Sequence, residues 1–387
     1  MDVHAEPLDK LRTRTSEKWT AYPSEVLPLF VAEMDYPLAE PIADALIAAV
    51  RRSDTGYAGT APTALASAFA SFAESRWGWQ VDRERVSTST DVSVVIVESL
   101  RRTIRPGDGV VIMPPVYPPF FDLPVEAGGR VVEVPLVLSD GVGGEPRMDL
   151  DGIDRALASG ARAVLLCNPH NPLGLVHTRA ELSALAEIVQ RHGAVVISDE
   201  IHAPLTHSDA AFTPYLTVSD AARDHAIAAH SASKGWNLAG LKCALFVTAG
   251  DRMSSALREL PEEVHFRTSL LGRIANTAAF ASGVDWLNAA LRSIEANRRL
   301  LTRLLHEYIP EAEYLQPRAS YLAWVDLSAL GWGDDPAAVA LARSGVALAN
   351  GPSFGGSGDS GRGFVRVNFA CSPEVLTEAV QRIAAAR

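Results

Sequence analysis

Lysine is nearly absent from this chain: of 35 basic residues only four are lysine, at positions 10, 18, 234 and 242, and arginine supplies the rest. Cysteine is as scarce. Cys167, Cys243 and Cys371 stand far apart, with no CxxC pair and no zinc-ligand spacing, so no metal site is expected. They read as small core residues rather than nucleophiles, and as the reduced thiols of a cytoplasmic protein. No apolar run approaches the roughly 20 residues needed to span a bilayer. Met1 to Pro7 holds no basic region ahead of an apolar one, so no secretory signal is expected either. A surplus of positive charge is also missing. The formal net charge of −11 speaks against non-specific nucleic-acid binding, which sets Lys and Arg against phosphates, and against a basic membrane-surface patch.

What remains is the composition of a soluble globular protein, with 48% hydrophobic and 21% charged residues. At 387 residues the chain exceeds the size at which a single core stops growing, which predicts two domains. Its middle alternates two kinds of segment. Pro62 to Trp77, Val92 to Arg101 and Ala180 to His192 carry apolar residues at helical spacing, the last stopped by Gly193. Val110–Met113, Ala163–Cys167 and Ala194–Ser198 are short runs, apolar almost throughout, and each ends at a Pro, Asn or Asp. Strands of that kind between amphipathic helices predict an α/β fold with a parallel sheet covered on both faces. Ligands in such sheets bind beyond the carboxyl ends of the strands, where Asn168–Asn171 and Asp199–His202 fall. Further on, Val284 to Leu305 predicts a long connecting helix. Tyr321–Asp326 and Phe364–Asn368 predict strands of a smaller C-terminal domain, and the Gly/Ser-rich stretch from Gly351 to Gly363 predicts a mobile loop.

Two of the four lysines lie eight residues apart in Ser231-Ala-Ser-Lys234-Gly-Trp-Asn-Leu-Ala-Gly-Leu-Lys242. Imine formation with a cofactor needs a primary amine, which arginine does not offer. Ser231 and Ser233 can donate to a phosphate, and Lys242 adds a point charge for the same group. An exposed loop with two solvated lysines fits this segment equally well. In Ser198-Asp199-Glu200-Ile201-His202, a carboxylate at a strand end can hold a pyridine nitrogen protonated and so keep the ring an electron sink. His202 can hydrogen-bond a phenolic oxygen. An Asp capping a turn beside a histidine satisfied by backbone is the commoner fate of such a pair. Asn168-Pro-His-Asn171-Pro-Leu-Gly174 presents amides at another strand end, and Tyr117 offers a flat ring for stacking, or a buried core tyrosine.

Taken together, these segments resemble the pyridoxal 5′-phosphate (PLP)-dependent class I aminotransferase superfamily and, within it, the MalY/PatB-type cystathionine β-lyases. The resemblance runs from about Trp19 to Ala384. Eight segments carry it in one order: 29–36, 56–57, 115–120, 168–174, 198–202, 231–241, 321–324 and 361–368. It implies the aspartate-aminotransferase-like fold (fold type I): a large α/β domain with a mainly parallel seven-stranded sheet, expected over residues 46–280. A small α/β domain is expected from residues 1–45 and 281–387.

The resemblance also implies roles. Lys234 is the Schiff-base lysine and the base for the α-proton; Asp199 partners the pyridine nitrogen; Asn171 and His202 surround the phenolic oxygen; Tyr117 stacks on the ring. Ser231, Ser233, Lys242 and the turn at Asp91 and Val92 bind the phosphate. Arg366, assisted by the backbone of Ala32, clamps the substrate carboxylate, for which a planar bidentate donor is suited. Tyr57 reaches the phosphate or substrate of a neighbouring subunit, implying a homodimer with its active site at the interface. Two positions depart from the pattern. Asp91 stands where relatives carry glycine or another small residue, so its carboxylate must point away from phosphate or find its own partner. Pro204 stands where relatives often carry an acidic residue. The implied reaction is cleavage of L-cystathionine or related cysteine S-conjugates to thiol, pyruvate and ammonia, within amino-acid and methionine metabolism. An aminotransferase shares every step up to proton removal. A regulatory role through a protein partner is the alternative of a different class.

Overall fold

The computed structural model describes residues 2–138 and 144–387. Seven short segments form one sheet: β1 (Val86–Ser89), β2 (Gly109–Ile112), β3 (Arg130–Glu133), β4 (Ala161–Cys167), β5 (Val195–Asp199), β6 (Ala226–His230) and β7 (Ala244–Val247). Their spatial order is β1-β7-β6-β5-β4-β2-β3. Strand β7 runs antiparallel to both neighbours and the other pairings are parallel. Every residue of β2, β5, β6 and β7 is buried, which is why these strands lack polar alternation.

Helices cover the sheet. They include α1 (Glu40–Arg51), α2 (Thr63–Trp77), α3 (Val92–Thr103), α4 (Arg179–Arg191), the single turn α5 (Ala232–Gly235), α6 (Leu270–Ser282) and the long α7 (Val284–Tyr308). Side-chain caps set four of these starts, those of α3, α4, α5 and α6. Asp91 accepts the Val94 amide at the start of α3, and Thr178 with Glu181 forms a reciprocal capping box on α4. Phe69 and Phe72 of α2 meet Phe280 of α6 edge to face or tilted, and Trp236 joins them, so the segment after Lys234 is anchored in the core. Among the described residues no helix is long and apolar enough to cross a membrane.

A second sheet follows α7, with β8 (Glu313–Tyr314), β9 (Leu322–Asp326), β10 (Ala349–Asn350) and β11 (Phe364–Asn368) in the antiparallel order β8-β9-β11-β10. The N-terminal segment joins this half of the molecule. Leu27–Pro28 pairs in parallel with Val346–Ala347, after which residues 29–36 run as an irregular strap. Asn368 donates its amide to the Leu29 carbonyl and Asp35 donates to Ala370, both at 2.9 Å or less. A fully buried Lys18–Asp35 pair at 2.6 Å fixes the end of the strap.

The stretch expected to be mobile is tied down at its start. Phe354 is buried among Trp324 and Phe364, its carbonyl accepts the Val116 amide, and the Ser357 amide donates to the Glu133 carboxylate at 3.0 Å. Gly356 makes that last contact possible. Its φ is +64°, and a Cβ there would come within 2.3 Å of Glu133. At that end a buried aromatic, not the Gly/Ser-rich composition, sets the packing.

Candidate active site

The carboxyl ends of β4, β5 and β6 lie side by side, with Cys167 opposite Asp199 and Asp199 opposite Ala229. A cavity of about 310 Å³ opens there. Of the residues singled out in the sequence, Ala32, Asp91, Val92, Tyr117, Asn171, Asp199, His202, Ser233, Lys234, Lys242 and Arg366 line it. Ser231 and Tyr57 do not.

Strand β6 delivers the lysine. Ser231 follows the strand and caps α5 by accepting the Ser233 amide, which turns Lys234 toward the cavity. Its Nζ donates to the Ala32 carbonyl at 2.9 Å. Burial lowers the pKa to about 8, the Arg366 guanidinium adds to the effect, and Asp199 and Glu33 oppose it. Asp199, at the end of β5, accepts a single backbone bond from Ile201 at 3.1 Å. Burial drives its pKa up to about 7, against that bond and against Lys234. His202 is held neutral, its pKa pushed down to about 3 by burial and by the cations Lys234 and Arg366. Its Nδ1 is buried and has no partner.

Behind these groups Glu200 braces the strand ends. One carboxylate oxygen accepts the Ser198 hydroxyl at 2.9 Å and the Tyr215 amide at 2.8 Å, and the other lies 3.0 Å from His230.

One end of the cavity is built to receive an anion. The start of α3 presents first-turn amides, which have no partner within the helix, apart from that of Val94, which Asp91 caps. Ser233 and Lys242 stand beside them. The carboxylate of Asp91 is occupied: one oxygen caps α3 at the Val94 amide, 3.0 Å away, and the other meets Lys242 at 3.2 Å. Ser231 takes a supporting place. Its hydroxyl donates to the Cys243 carbonyl at 2.7 Å and lies 2.8 Å from the Ser233 hydroxyl, so Ser233 forms the wall and Ser231 the layer behind it.

Arg366, on β11, forms the other end. It donates to the Asn171 side-chain oxygen at 3.2 Å and to the Phe30 carbonyl at 2.9 Å, and its guanidinium lies over the Phe354 ring at 5.0 Å. Its Nε has no partner, and burial lowers its pKa to about 10 without discharging it near neutrality. Tyr117 is fixed by donating its amide to the Asn171 carbonyl at 3.0 Å. Tyr57 is 89% exposed, and its ring meets that of Phe266 edge to face at 6.5 Å.

Three contributors were not singled out from the sequence. Phe354 supports Arg366; Tyr321 donates to the Ala32 carbonyl at 3.0 Å; Asn237 holds both backbone groups of Met34. Tyr321 and Asn237 stand inside segments that had been noticed, but their partners lie 289 and 203 residues away, beyond any local pattern. Phe354 gave no signal in its Gly-rich surroundings.

A primary amine, a carboxylate, a neutral imidazole, an anion cradle and a guanidinium thus share one cavity. The set can bind a flat anionic heterocycle through its phosphate-like end and an amino acid through its carboxylate. A family model described as aminotransferase class I and II matches residues 24–383. A Mycobacterium leprae protein bearing a provisional cystathionine β-lyase name is 45% identical, over 97% of this chain and 96% of its own. The cystathionine β-lyase PatB of Bacillus subtilis is 32% identical over 94% of this chain and 93% of its own. The structure of the PLP-bound C–S lyase from Staphylococcus hominis matches with a TM-score of 0.87 at 25% identity, covering 96% of this chain and 95% of that one. The aspartate-aminotransferase-like α/β fold expected from the sequence is the fold found.

Proposed function

The chain belongs to the class I and II aminotransferase family, in its MalY/PatB-type branch, and from that premise we propose that it is a PLP-dependent carbon–sulfur β-lyase. Its substrates are L-cystathionine or related cysteine S-conjugates, its products a thiol, pyruvate and ammonia.

The donor set fits the cofactor. An aldehyde calls for a primary amine, a pyridine nitrogen for a carboxylate, a phenolic oxygen for neutral donors, and a phosphate for helix amides with a cation. Lys234, Asp199, Asn171 with His202, and the start of α3 with Ser233 and Lys242 answer these needs in turn. The buried, partnerless Nδ1 of His202 is a polar atom that a ligand would satisfy. When bound, PLP supplies an electron sink for the pair left behind as the α-proton departs.

The rest belongs to the protein. Arg366 receives the α-carboxylate through parallel N–H groups and fixes the amino acid relative to Lys234. Lys234, a free amine above about pH 8, takes the proton from Cα. The bond from Cβ to sulfur then breaks and the thiolate leaves, with the proton on Nζ available to it. Asp199 remains a carboxylate when a cation stands beside it, and Tyr117 closes one face of the cavity. The released enamine hydrolyses to pyruvate and ammonia.

The observation that carries the proposal is the meeting of Lys234, Asp199 and Arg366, from α5, β5 and β11, in one cavity. The lyase outcome is supported by the names of the relatives, since an aminotransferase uses the same groups up to proton removal. In this reading residues 46–280 form the large cofactor-binding domain, and residues 1–45 with 281–387 the small one. The enzyme works as a cytoplasmic homodimer, supported by three reduced, buried cysteines and by Tyr57, Ile47 and Val50, which stand exposed. The test is pyruvate release from L-cystathionine by the PLP-loaded protein without any 2-oxo acid. Release is expected; strict dependence on a 2-oxo-acid acceptor would overturn the lyase in favour of an aminotransferase.

A further inference from the structure

We infer that Asn237 is a positioning residue of this site: its side-chain amide locks the N-terminal strap to the segment that carries Lys234, and so holds the carboxylate-binding end in register. The inference rests on the reading of Arg366 given above.

Asn237 lies three residues beyond Lys234 with φ +59°, in the left-handed region that costs most side chains energy and that asparagine tolerates. Its side-chain oxygen accepts the Met34 amide at 2.9 Å, and its side-chain nitrogen donates to the Met34 carbonyl at 3.0 Å. Both backbone groups of one residue are therefore gripped by one primary amide, which combines a donor and an acceptor at the needed spacing.

Met34 belongs to the strap whose carbonyls serve the site. Phe30 accepts from Arg366, and Ala32 accepts from Lys234 and from Tyr321. Most other ties on the strap come from its own half of the molecule. Asn368 donates to the carbonyls of Val31 and Glu33 at 2.7 Å, and Lys18 binds Asp35. The Lys234–Ala32 bond is given up whenever Nζ is engaged in chemistry. The Asn237–Met34 clamp is made by neither reacting atom, so it persists and keeps the Phe30 carbonyl where it aims Arg366.

A rival account is that asparagine stands here only to permit the left-handed turn. Asn237→Gly separates the two, because glycine adopts the same φ without strain and lacks the amide. Asn237→Asp keeps the acceptor for the Met34 amide and loses the donor.

Hydrogen exchange, followed by mass spectrometry on the full chain without cofactor or substrate, is the first arm. Residues 29–36 should exchange roughly tenfold faster in Asn237→Gly, as expected for the loss of two hydrogen bonds, with β4, β9 and β11 unchanged. Asn237→Asp should fall between. The second arm is kinetic: KM for L-cystathionine should rise about tenfold in Asn237→Gly while kcat stays within about threefold. Wild-type exchange of the strap would show that the residue serves only the turn and would overturn the inference. Equal acceleration in β4, β9 and β11 would overturn it as well, as general destabilisation. Faster strap exchange with unchanged KM would remove the link to the carboxylate. If wild type itself turns over no S-conjugate, the proposed function fails, and the exchange arm still decides the clamp.

Discussion

Lys234 Nζ and the carbonyl of Ala32 meet at 2.9 Å across 202 residues of chain. The bond joins α5 to the N-terminal strap and sets the resting position of the amine. It also places the ammonium near Arg366, whose charge assists burial in bringing the lysine pKa to about 8. The neutral amine, the form that attacks an aldehyde, therefore predominates only above that pH. Uptake of PLP by cofactor-free protein should accelerate as pH rises and level off above an inflection near 8, followed by visible absorbance after stopped-flow mixing. Arg366→Gln removes a repelling cation and should move the inflection upward. Asp199→Asn removes an attracting anion and should move it downward. A profile that both variants leave in place would mean that neither charge acts on the lysine.

Arg366 is held by three unlike contacts: a side-chain amide oxygen, a backbone carbonyl and an aromatic face. Lysine reproduces the charge but neither the parallel N–H pair nor the flat surface that lies on Phe354. Arg366→Lys should raise KM for L-cystathionine by about a hundredfold with a smaller loss in kcat, and Phe354→Leu should raise it by roughly three- to tenfold. Steady-state kinetics on the two variants separate carboxylate binding from the support beneath it. An unchanged KM in Arg366→Lys would place the carboxylate elsewhere.

The sequence made the parallel sheet legible because buried strands write themselves as apolar runs. β4 and β5 fall where Ala163–Cys167 and Ala194–Ser198 had been read. The residues at their ends were legible for the same reason, since a strand that stops at Asp199 delivers that carboxylate to a crevice. The layer that orients them was not. The Asn237 clamp and the Tyr321 hydroxyl on Ala32 are each made across a long stretch of chain, and the Phe354 ring lies under Arg366 from within a Gly/Ser-rich run that reads as loop. Nothing in the local spacing of an Asn or a Tyr announces a partner so far away, and nothing in a Gly/Ser-rich run marks its one Phe as buried. The loop from Gly351 to Gly363 makes the converse point. Its composition speaks for an open loop throughout, whereas its start is packed by Phe354 and tied to Glu133 through Ser357.

Tyr57 is 89% exposed in the single chain and does not line the cavity of its own subunit. If it completes the site of a neighbour, two inactive variants can restore each other. Tyr57→Ala and Lys234→Ala proteins, co-expressed or unfolded and refolded together, should regain roughly a quarter of wild-type lyase activity. Half of the dimers formed at random are mixed, and each mixed dimer holds one intact site of two. No recovery from a mixture shown to contain mixed dimers would confine Tyr57 to its own subunit or remove it from the site.

Asp91 performs two tasks that substitution can separate. Its carboxylate caps α3 at Val94 and pairs with Lys242, whose side chain is 58% exposed, so the ion pair itself adds little to stability. The cap is the stronger stabilising element. Asp91→Ala should lower the unfolding free energy of cofactor-free protein by about 1 kcal/mol in urea titrations, whereas Asp91→Asn keeps a capping oxygen and should stay within a few tenths. For cofactor binding the two variants should agree. Each removes a negative charge from the anion cradle and frees Lys242, so PLP should bind roughly threefold more tightly to both, read from the visible absorbance of a titration. Tighter binding in Asp91→Asn at unchanged stability would identify the carboxylate as a brake on phosphate affinity. Weaker binding would give it the opposite role, that of holding the Lys242 ammonium against the phosphate, and the prediction would fail.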